Sequence, residues 1–281
     1  MPICFHEQKY VDKLCRKCYN NIVQIDLKKE IDCFLLDLDG TVYFGNRLID
    51  GVKEGLERMC MDKRIVYLTN NSSATREFYV GKLTKMGIPV TKDNIYTSAN
   101  ATQDWLKINS PHSKLFLLAS PEVEDEFRSA GLNVDNKSPD TVVLTFDKTL
   151  TFDKLAKACD LISKGAYYIA THPDMTCPVD GGALPDIGSF MRLIEGTTGK
   201  TPDLICGKPY GIIAEGVSKM TGVPLNRTAM IGDRLSTDMK FAIDNGLKAV
   251  LTLTGETNLQ TYTESGLKVD KIINSVAEWD L

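Results

Sequence analysis

The stretch that most constrains the fold is Ile31–Thr41, in which an apolar run of strand length ends in Asp37-Leu38-Asp39-Gly40. The glycine lets the backbone turn away directly after the two aspartates. In an open parallel sheet, ligands bind beyond the carboxyl ends of the strands, which is where this pair would lie. The pattern therefore predicts a buried strand with a ligand site at its end.

The two aspartates favour a bound cation, because unpaired carboxylates a few ångström apart repel each other. Their oxygens suit Mg²⁺, which would screen an incoming phosphate so that Asp37 could attack phosphorus as a nucleophile. Asp39 would then be free to transfer a proton to the leaving group. Two alternatives stay open at this point. One is a simple turn, and the other is a calcium loop, although Leu48 stands where such a loop needs a closing glutamate.

The composition is that of an ordinary globular protein: 281 residues, 43% hydrophobic and 25% charged, long enough for two domains. The formal net charge of -4 and the isoelectric point of about 5.5 give no reason to expect nucleic acid or an anionic membrane as a partner. No apolar segment follows a basic start, and no later segment has the length of a membrane span without charges. The sequence thus predicts a cytoplasmic protein.

The eight cysteines are scattered, several of them within apolar segments, which predicts reduced thiols rather than a disulfide framework. Near the N-terminus, Cys4, His6, Cys15 and Cys18 could supply zinc ligands. A second C-x-x-C is missing and the C-x-H spacing is unusual, so an N-terminal helix or arm is the preferred interpretation.

Polar residues also follow two further predicted strands. Thr69 and Asn70 come after an apolar run at 64–68, where they could cap the next helix or bind an anion at its N-terminus. Lys208 lies between a glycine and a proline after a predicted strand at 204–206. Its ammonium is either solvated surface or meets a phosphate at the same edge of the sheet.

A second pair of carboxylates follows the predicted strand at 228–231. Asp233 stands at the strand end and Asp238 five residues later, at the start of the next predicted helix. Each could be a favourable charge at a helix N-terminus. Together with Asp37 and Asp39 they could instead complete an oxygen shell for one Mg²⁺.

Residues 99–201 alternate strands and helices as a small sheet domain would, without a carboxylate pair of their own. We interpret them as a domain inserted into the first. The predicted division is an N-terminal extension at 1–30, a first domain at 31–98 and 202–281, and the insertion between its two parts. In this division the strand at 204–206 belongs to the first domain.

The loop at 171–182 is polar, contains prolines and is long for a connection. It is either a plain interdomain connection or a substrate-contacting segment, and we favour substrate contact because binding residues concentrate on loops held by a scaffold. Asp174 and His172 are its candidate specificity residues, although His172 fits a structural role better than a catalytic one.

Taken in order, these motifs resemble the haloacid dehalogenase (HAD) superfamily of phosphatases. The resemblance rests on Asp37-Leu38-Asp39-Gly40-Thr41, Leu68-Thr69-Asn70-Asn71, Gly207-Lys208-Pro209 and the run Gly232–Asp238, which match the four motifs of the superfamily. The insertion and the phrase Ala170–Asp174 are similar to the C2-capped branch of NagD-like phosphatases and 4-nitrophenylphosphatases. The resemblance covers residues 30–270 and leaves the N-terminal extension outside.

The resemblance implies an α/β fold: a Rossmann-like parallel sheet core with an inserted α/β C2 cap domain. It implies an Mg²⁺-dependent phosphatase in which Asp37 forms an aspartyl phosphate while Asp39 protonates the leaving oxygen and later deprotonates water. The residues that would hold the metal are Asp37, Asp39 through its main-chain carbonyl, Asp233, and Asp238 in or near the second shell. The residues that would hold phosphoryl oxygens are Thr69, Asn70 through its backbone, and Lys208.

The implied partner is a small phosphorylated metabolite, such as a nucleotide monophosphate, a sugar phosphate, phosphoglycolate or pyridoxal phosphate, and a homodimer through the cap is possible. Two alternatives remain. A receiver-like phospho-acceptor module would share the aspartates but has no use for a cap. A dehalogenase or phosphonate hydrolase on the same fold needs no acid at Asp39.

Overall fold

The computed structural model describes residues 27–61, 63–179 and 181–279, which fold around two parallel sheets. The strands of the first sheet are β1 (Cys33–Leu36), β4 (Arg64–Thr69), β5 (Ile95–Thr97), β13 (Thr228–Gly232), β14 (Lys248–Thr252) and β15 (Lys271–Ile273). Those of the second are β6 (Lys114–Leu118), β7 (Asn133–Val134), β8 (Thr141–Leu144), β9 (Tyr167–Ala170) and β12 (Leu204–Ile205). Their orders are β15-β14-β13-β1-β4-β5 and β12-β9-β8-β6-β7, so the predicted α/β fold is confirmed.

Helices alternate with the strands in both sheets. They are Leu27–Glu30, Val52–Cys60, Arg76–Lys85, Ser98–Asn109, Pro121–Ser129, Phe152–Ser163, Ile187–Thr198, Gly211–Thr221, Lys240–Asp244 and Leu259–Ser265, with a π-helical turn at Leu235–Met239. In the helix at Val52–Cys60, the apolar positions Val52, Leu56, Met59 and Cys60 recur at helical spacing. The first three are buried, whereas Cys60, the last residue of the helix, is exposed. None of the helices in the described ranges is long and apolar enough to cross a membrane.

Strand β1 lies inside the first sheet, between β13 and β4, with parallel pairing on both sides. All four of its residues are buried, because both faces of the sheet are covered and a central parallel strand has no polar face. Asp37 follows the strand directly, and its backbone N–H still donates to the Ile231 carbonyl at 2.9 Å. The sheet therefore holds the first aspartate by its own ladder of hydrogen bonds.

The strand predicted at 204–206 exists, but its assignment to the first sheet is wrong. Leu204 and Ile205 pair with Ile169 and Ala170 of β9 at the edge of the second sheet. An apolar run of strand length does not specify which neighbour it pairs with. The ladder extends to Gly207, whose N–H donates to the Thr171 carbonyl at 2.7 Å, and so brings Lys208 to the first sheet.

The segment predicted as a loop at 171–182 contains half of an antiparallel hairpin, and that prediction is corrected accordingly. Its strands are β10 (Thr176–Val179) and β11 (Gly182–Pro185). The sequence pattern does not predict a two-stranded ribbon of this kind, because the segment contains prolines and glycines, which are depleted in most strands. A second hairpin follows Thr41 and consists of β2 (Tyr43–Phe44) and β3 (Arg47–Leu48) on either side of Gly45-Asn46, a dipeptide of the kind that favours two-residue hairpin turns.

The five described cysteines, Cys33, Cys60, Cys159, Cys177 and Cys206, are free thiols, in agreement with the sequence prediction. The proposed zinc ligands Cys4, His6, Cys15 and Cys18 lie outside the described residues.

Candidate active site

The carboxyl ends of β1, β4 and β13 meet at one small cavity of about 40 Å³. It brings together most of the residues that the sequence singled out: its lining includes Asp37, Asp39, Thr69, Asn70, Asp174 and Lys208. Asp233 and Asp238 are not among its lining residues, but their carboxylates lie close to that of Asp37. Convergence at one edge follows from parallel pairing, since all three strands end on the same side of the sheet.

Three carboxylates form a compact cluster here. Asp37, Asp233 and Asp238 each offer an oxygen, and these oxygens all lie within 4.8 Å of one another. Burial raises the pKa of Asp233 to about 6, and the neighbouring Asp238 adds to that rise. Burial also raises the pKa of Asp37 well above its usual range, although Lys208 opposes the rise. A set of three anionic oxygens whose charges repel each other fits a hard divalent cation such as Mg²⁺.

Lys208 supplies the positive charge that the described residues place inside this cluster. Its side chain is almost fully buried, and Nζ lies 2.6 Å from Asp37 Oδ1 and 2.6 Å from Asp238 Oδ1. Burial alone would lower the pKa of Lys208, but Asp238 and Asp37 raise it above its usual value. The ammonium therefore stays charged beside the candidate nucleophile.

The Asn70 side chain fixes the position of Lys208 by pairing with its backbone. Its Oδ1 accepts from the Lys208 N–H at 2.8 Å, and its Nδ2 donates to the Lys208 carbonyl at 3.0 Å. The same Nδ2 lies 3.1 Å from Asp174 Oδ1. One amide thus connects three chain segments far apart in sequence, in addition to the backbone role that the family resemblance implies for Asn70.

Asp233 is held by a loop that sequence reasoning missed. The Glu256 N–H donates to Asp233 Oδ2 at 2.7 Å, and the Thr41 hydroxyl donates to Asp233 Oδ1 at 3.3 Å. An ideal Cβ on Gly255 would overlap the Asp233 carboxylate, so only glycine lets this loop come so close. The available signal was a Thr-Gly-Glu run just after β14, at the same edge of the sheet.

Asp39 is not part of the carboxylate cluster, and it lines both the small cavity and a larger one beside it. Burial raises its pKa, while Lys82 and Arg234 oppose that rise. The protonated form is therefore favoured relative to a solvated aspartate, which suits a group that donates a proton. The Gly40 N–H donates to the Tyr43 carbonyl at 2.9 Å and closes the turn that carries Asp39.

The two candidate specificity residues differ in position. Asp174 lines the cavity and lies 3.5 Å from the Arg234 guanidinium. His172 is fully buried and lines neither this cavity nor the larger one beside it, so the expectation of substrate contact does not hold for His172. Its Nδ1 accepts from the Asp174 N–H at 3.4 Å, and its Nε2 lies 3.5 Å from Asp186 Oδ1. His172 therefore helps to position Asp174 through this backbone hydrogen bond.

A second cavity, of about 920 Å³, opens next to the first. The two cavities share several lining residues, including Asp39, Cys177, Pro178 and Arg234. Cys177 and Pro178 belong to β10, so the hairpin corrected above forms part of both walls. A phosphate in the small cavity would point its ester group into this larger space.

Two family sequence models match the chain. One describes haloacid dehalogenase-like hydrolases and matches residues 34–133. The other describes HAD-hydrolase-like proteins and matches residues 205–279. Residues 134–204, which include β8 and β9 of the second sheet, lie between the two matches.

Characterised relatives and solved structures agree with these matches. The chain is 32% identical over 248 residues to the 5'-nucleotidase YutF of Bacillus subtilis, covering 88% of this chain and 96% of that protein. It is 34% identical over 235 residues to the acid sugar phosphatase of Staphylococcus aureus, covering 83% of this chain and 90% of that protein.

A 4-nitrophenylphosphatase structure from Thermotoga maritima superposes with a TM-score of 0.87 at 42% identity, covering 90% of this chain and 97% of that one. NagD from E. coli superposes with a TM-score of 0.81 at 28% identity, covering 88% and 98%. Identity of this level over nearly the whole length of such relatives, on the same fold, establishes membership: the chain belongs to the haloacid dehalogenase-like hydrolases and is a phosphatase of that superfamily.

Proposed function

We propose that the chain hydrolyses small phosphomonoesters in an Mg²⁺-dependent reaction through an aspartyl phosphate on Asp37. The observation that carries the proposal is the placement of Asp37 at the end of a central strand. There it lies in a cluster with Asp233 and Asp238, 2.6 Å from a buried ammonium. Its side chain keeps 13% of its surface exposed, so a phosphate in the cavity can meet it.

The proposed metal ligands are the carboxylates of Asp37 and Asp233 and the main-chain carbonyl of Asp39, with Asp238 in or near the second shell. When bound, Mg²⁺ would neutralise charge on the phosphate and reduce its repulsion from the nucleophile. Lys208, Thr69 and the Asn70 backbone would hold the phosphoryl oxygens as charge redistributes over them.

The reaction would proceed in two steps. An Asp37 carboxylate oxygen attacks phosphorus, the bond from phosphorus to the ester oxygen breaks, and Asp39 gives that oxygen a proton. Asp39 then takes a proton from water as the water oxygen attacks phosphorus. The bond to Asp37 breaks, and inorganic phosphate leaves.

The predicted inserted domain also has a place in this reaction, once β12 is added to it. We propose that residues 99–201, together with β12, form a cap that covers the leaving group and excludes water. The relatives named for nucleotides, sugar phosphates and 4-nitrophenyl phosphate make these three kinds of ester the first substrates to examine. A dimer through the cap stays a prediction.

The test is phosphate release from a panel of phosphomonoesters, with Mg²⁺ and with a chelator, for the parent and Asp37→Asn. We expect release that needs Mg²⁺ and is lost in the variant, while circular dichroism and the thermal midpoint show that the variant is folded. Asparagine has nearly the same shape as aspartate and removes one of three mutually repelling charges. Turnover retained by a folded Asp37→Asn would refute the assigned nucleophile.

A further inference from the structure

We propose that the large cavity beside Asp39 is a subsite for a second anionic group of the substrate. The preferred substrates would then be phosphomonoesters whose leaving group carries a carboxylate or a second phosphate. The inference rests on the proposed function, because it assumes that the reacting phosphate occupies the small cavity next to Asp37.

The leaving group has a defined direction in this arrangement. Asp39 delivers the proton to the ester oxygen, so the leaving group begins at Asp39, and Asp39 lines both cavities. The small cavity has room for little more than the phosphate itself, whereas the large one holds about 920 Å³. The remainder of the substrate must therefore lie against the walls of the large cavity.

Two lysines lie in the walls of the large cavity. Lys82 and Lys148 both line the large cavity, and neither forms an ion pair within the part of the chain that the structure describes. Lys82 Nζ lies 3.7 Å from the centre of the Tyr43 ring, and Lys148 Nζ lies 5.1 Å from the centre of the Phe146 ring. Aromatic faces hold an ammonium in place without neutralising it.

Other charges in the cavity do not cancel these two. Arg234 is already engaged with Asp174 at 3.5 Å and with Glu256 at 3.2 Å. Asp233 belongs to the carboxylate cluster, and Asp39 lies at the junction with the small cavity, because it lines both cavities. Glu122 is exposed to solvent, where its charge is screened. An anion that arrives with the substrate would therefore find two ammonium groups free to bind it.

The pKa of Lys82 reflects the burial of its ammonium and the nearby positive charge of Lys148. Burial lowers the pKa of Lys82 and the charge of Lys148 lowers it further, while Asp39 and Cys177 oppose that fall. A second anion on the substrate would supply a counter-charge for Lys82.

The cavity also has an apolar surface suited to a spacer between the two anionic groups. Phe44 and Phe78 both line it and leave 41% and 55% of their surfaces exposed. Large aromatic side chains that remain this exposed next to a cavity favour a ligand with a flat or apolar part. The subsite thus combines two cations with an aromatic wall.

The experiment compares substrates that differ only in the second charge. The aryl pair is 4-carboxyphenyl phosphate and 4-carbamoylphenyl phosphate, which match in size, and the aliphatic pair is 3-phosphoglycerate and glycerol 3-phosphate. A third pair, 4-phosphonophenyl phosphate and 4-carbamoylphenyl phosphate, replaces the carboxylate with a phosphonate, which is phosphate-like in charge but is not a second ester. We expect kcat/KM to favour the charged member of at least one pair by about tenfold, the effect of one charge-assisted hydrogen bond.

The variants test whether the two lysines cause that preference. Lys82→Met and Lys148→Met should each reduce the ratio of kcat/KM within the preferred pair. Lys85→Met, one turn along the helix of Lys82, and Lys164→Met, exposed elsewhere on the second sheet's helices, serve as matched controls and should keep the ratio. Preference for the carboxylate or for the phosphonate then identifies which anion the subsite recognises.

Binding of both members of each pair to Asp37→Asn, measured by calorimetry, separates this proposal from the reaction itself. Equal kcat/KM and equal affinity within all three pairs would overturn the subsite, while Mg²⁺-dependent release from them would leave the proposed function standing. A preference that survives in both lysine variants would also overturn it. If the parent releases no phosphate, a binding preference lost in combined Asp37→Asn/Lys148→Met protein would still support the subsite.

Discussion

Lys208→Met should be the most destabilising single change in the candidate active site. The substitution keeps an unbranched side chain of similar length but removes the ammonium that lies 2.6 Å from both Asp37 Oδ1 and Asp238 Oδ1. Two carboxylates would then remain in a site where Lys208 is 1% exposed and Asp238 is fully buried. Removing one partner of a buried ion pair costs about 3–5 kcal/mol, because the other charge stays uncompensated.

In a chain of this size that loss corresponds to a fall of roughly 6–20 °C in the thermal midpoint, measured in the presence of a chelator. The matched control is Lys164→Met, which removes an exposed lysine 2.6 Å from Asp160. An exposed pair of this kind contributes at most about 1 kcal/mol. Added Mg²⁺ should narrow the gap between parent and Lys208→Met, because a divalent cation restores part of the missing positive charge.

The difference in stability between the parent and Lys208→Met should also depend on pH. Lys208 opposes the rise in the pKa of Asp37, so the variant should have an Asp37 pKa even further above the usual 3.8. A carboxyl whose folded pKa is raised binds its proton more tightly in the folded state, so folding loses stability as pH rises from the unfolded pKa to the folded one. The variant should therefore lie closest to the parent near pH 4 and fall behind above it. A gap that is equal at pH 4 and pH 8, or no larger than that of Lys164→Met, would refute this account.

Three further changes test other parts of the site. Asp39→Asn should lower kcat about 100-fold or more for alkyl phosphates. The loss should be smaller for 4-nitrophenyl phosphate, because its leaving oxygen needs no proton. Equal rates for the variant and the parent would contradict the acid/base role of Asp39. Asp174→Ala should lower kcat/KM about tenfold, and Asp174→Asn by less, because the amide keeps the acceptor for Asn70; equal losses would contradict that role. Gly255→Ala should raise the Mg²⁺ concentration needed for half-maximal activity by about 10-fold to 100-fold, since the added methyl group displaces Asp233. Gly196→Ala, on an open helix surface, is the control and should leave that concentration unchanged.

Much of the candidate site could be predicted from local sequence. An apolar run followed by Asp-x-Asp-Gly specifies a buried strand and a turn within a dozen residues, and both are properties of the segment itself. Because parallel strands end at the same edge of a sheet, the polar residues after β1, β4 and β13 could be expected to meet. The family resemblance then supplied candidate roles for Asp37, Asp39 and Lys208.

Other features depend on contacts between distant segments. The partner of β12 could not be inferred, because a short apolar run pairs equally well with either sheet until the rest of the chain is in place. The Asn70 clamp and the close approach of Gly255 to Asp233 involve side-chain geometry that no spacing rule encodes.

Neighbouring residues alone specify which chemical groups stand at the strand ends, since an apolar run and the turn after it are local properties of a segment. The contacts that each group makes depend on the fold of the whole chain. Lys208 and Asp37 are 171 residues apart, and their contact exists because two sheets bring their strand ends together. The same packing joined Lys82 from one part of the chain and Lys148 from another around a single cavity. Such contacts depend on the packing of the whole chain, which no single segment of the sequence specifies.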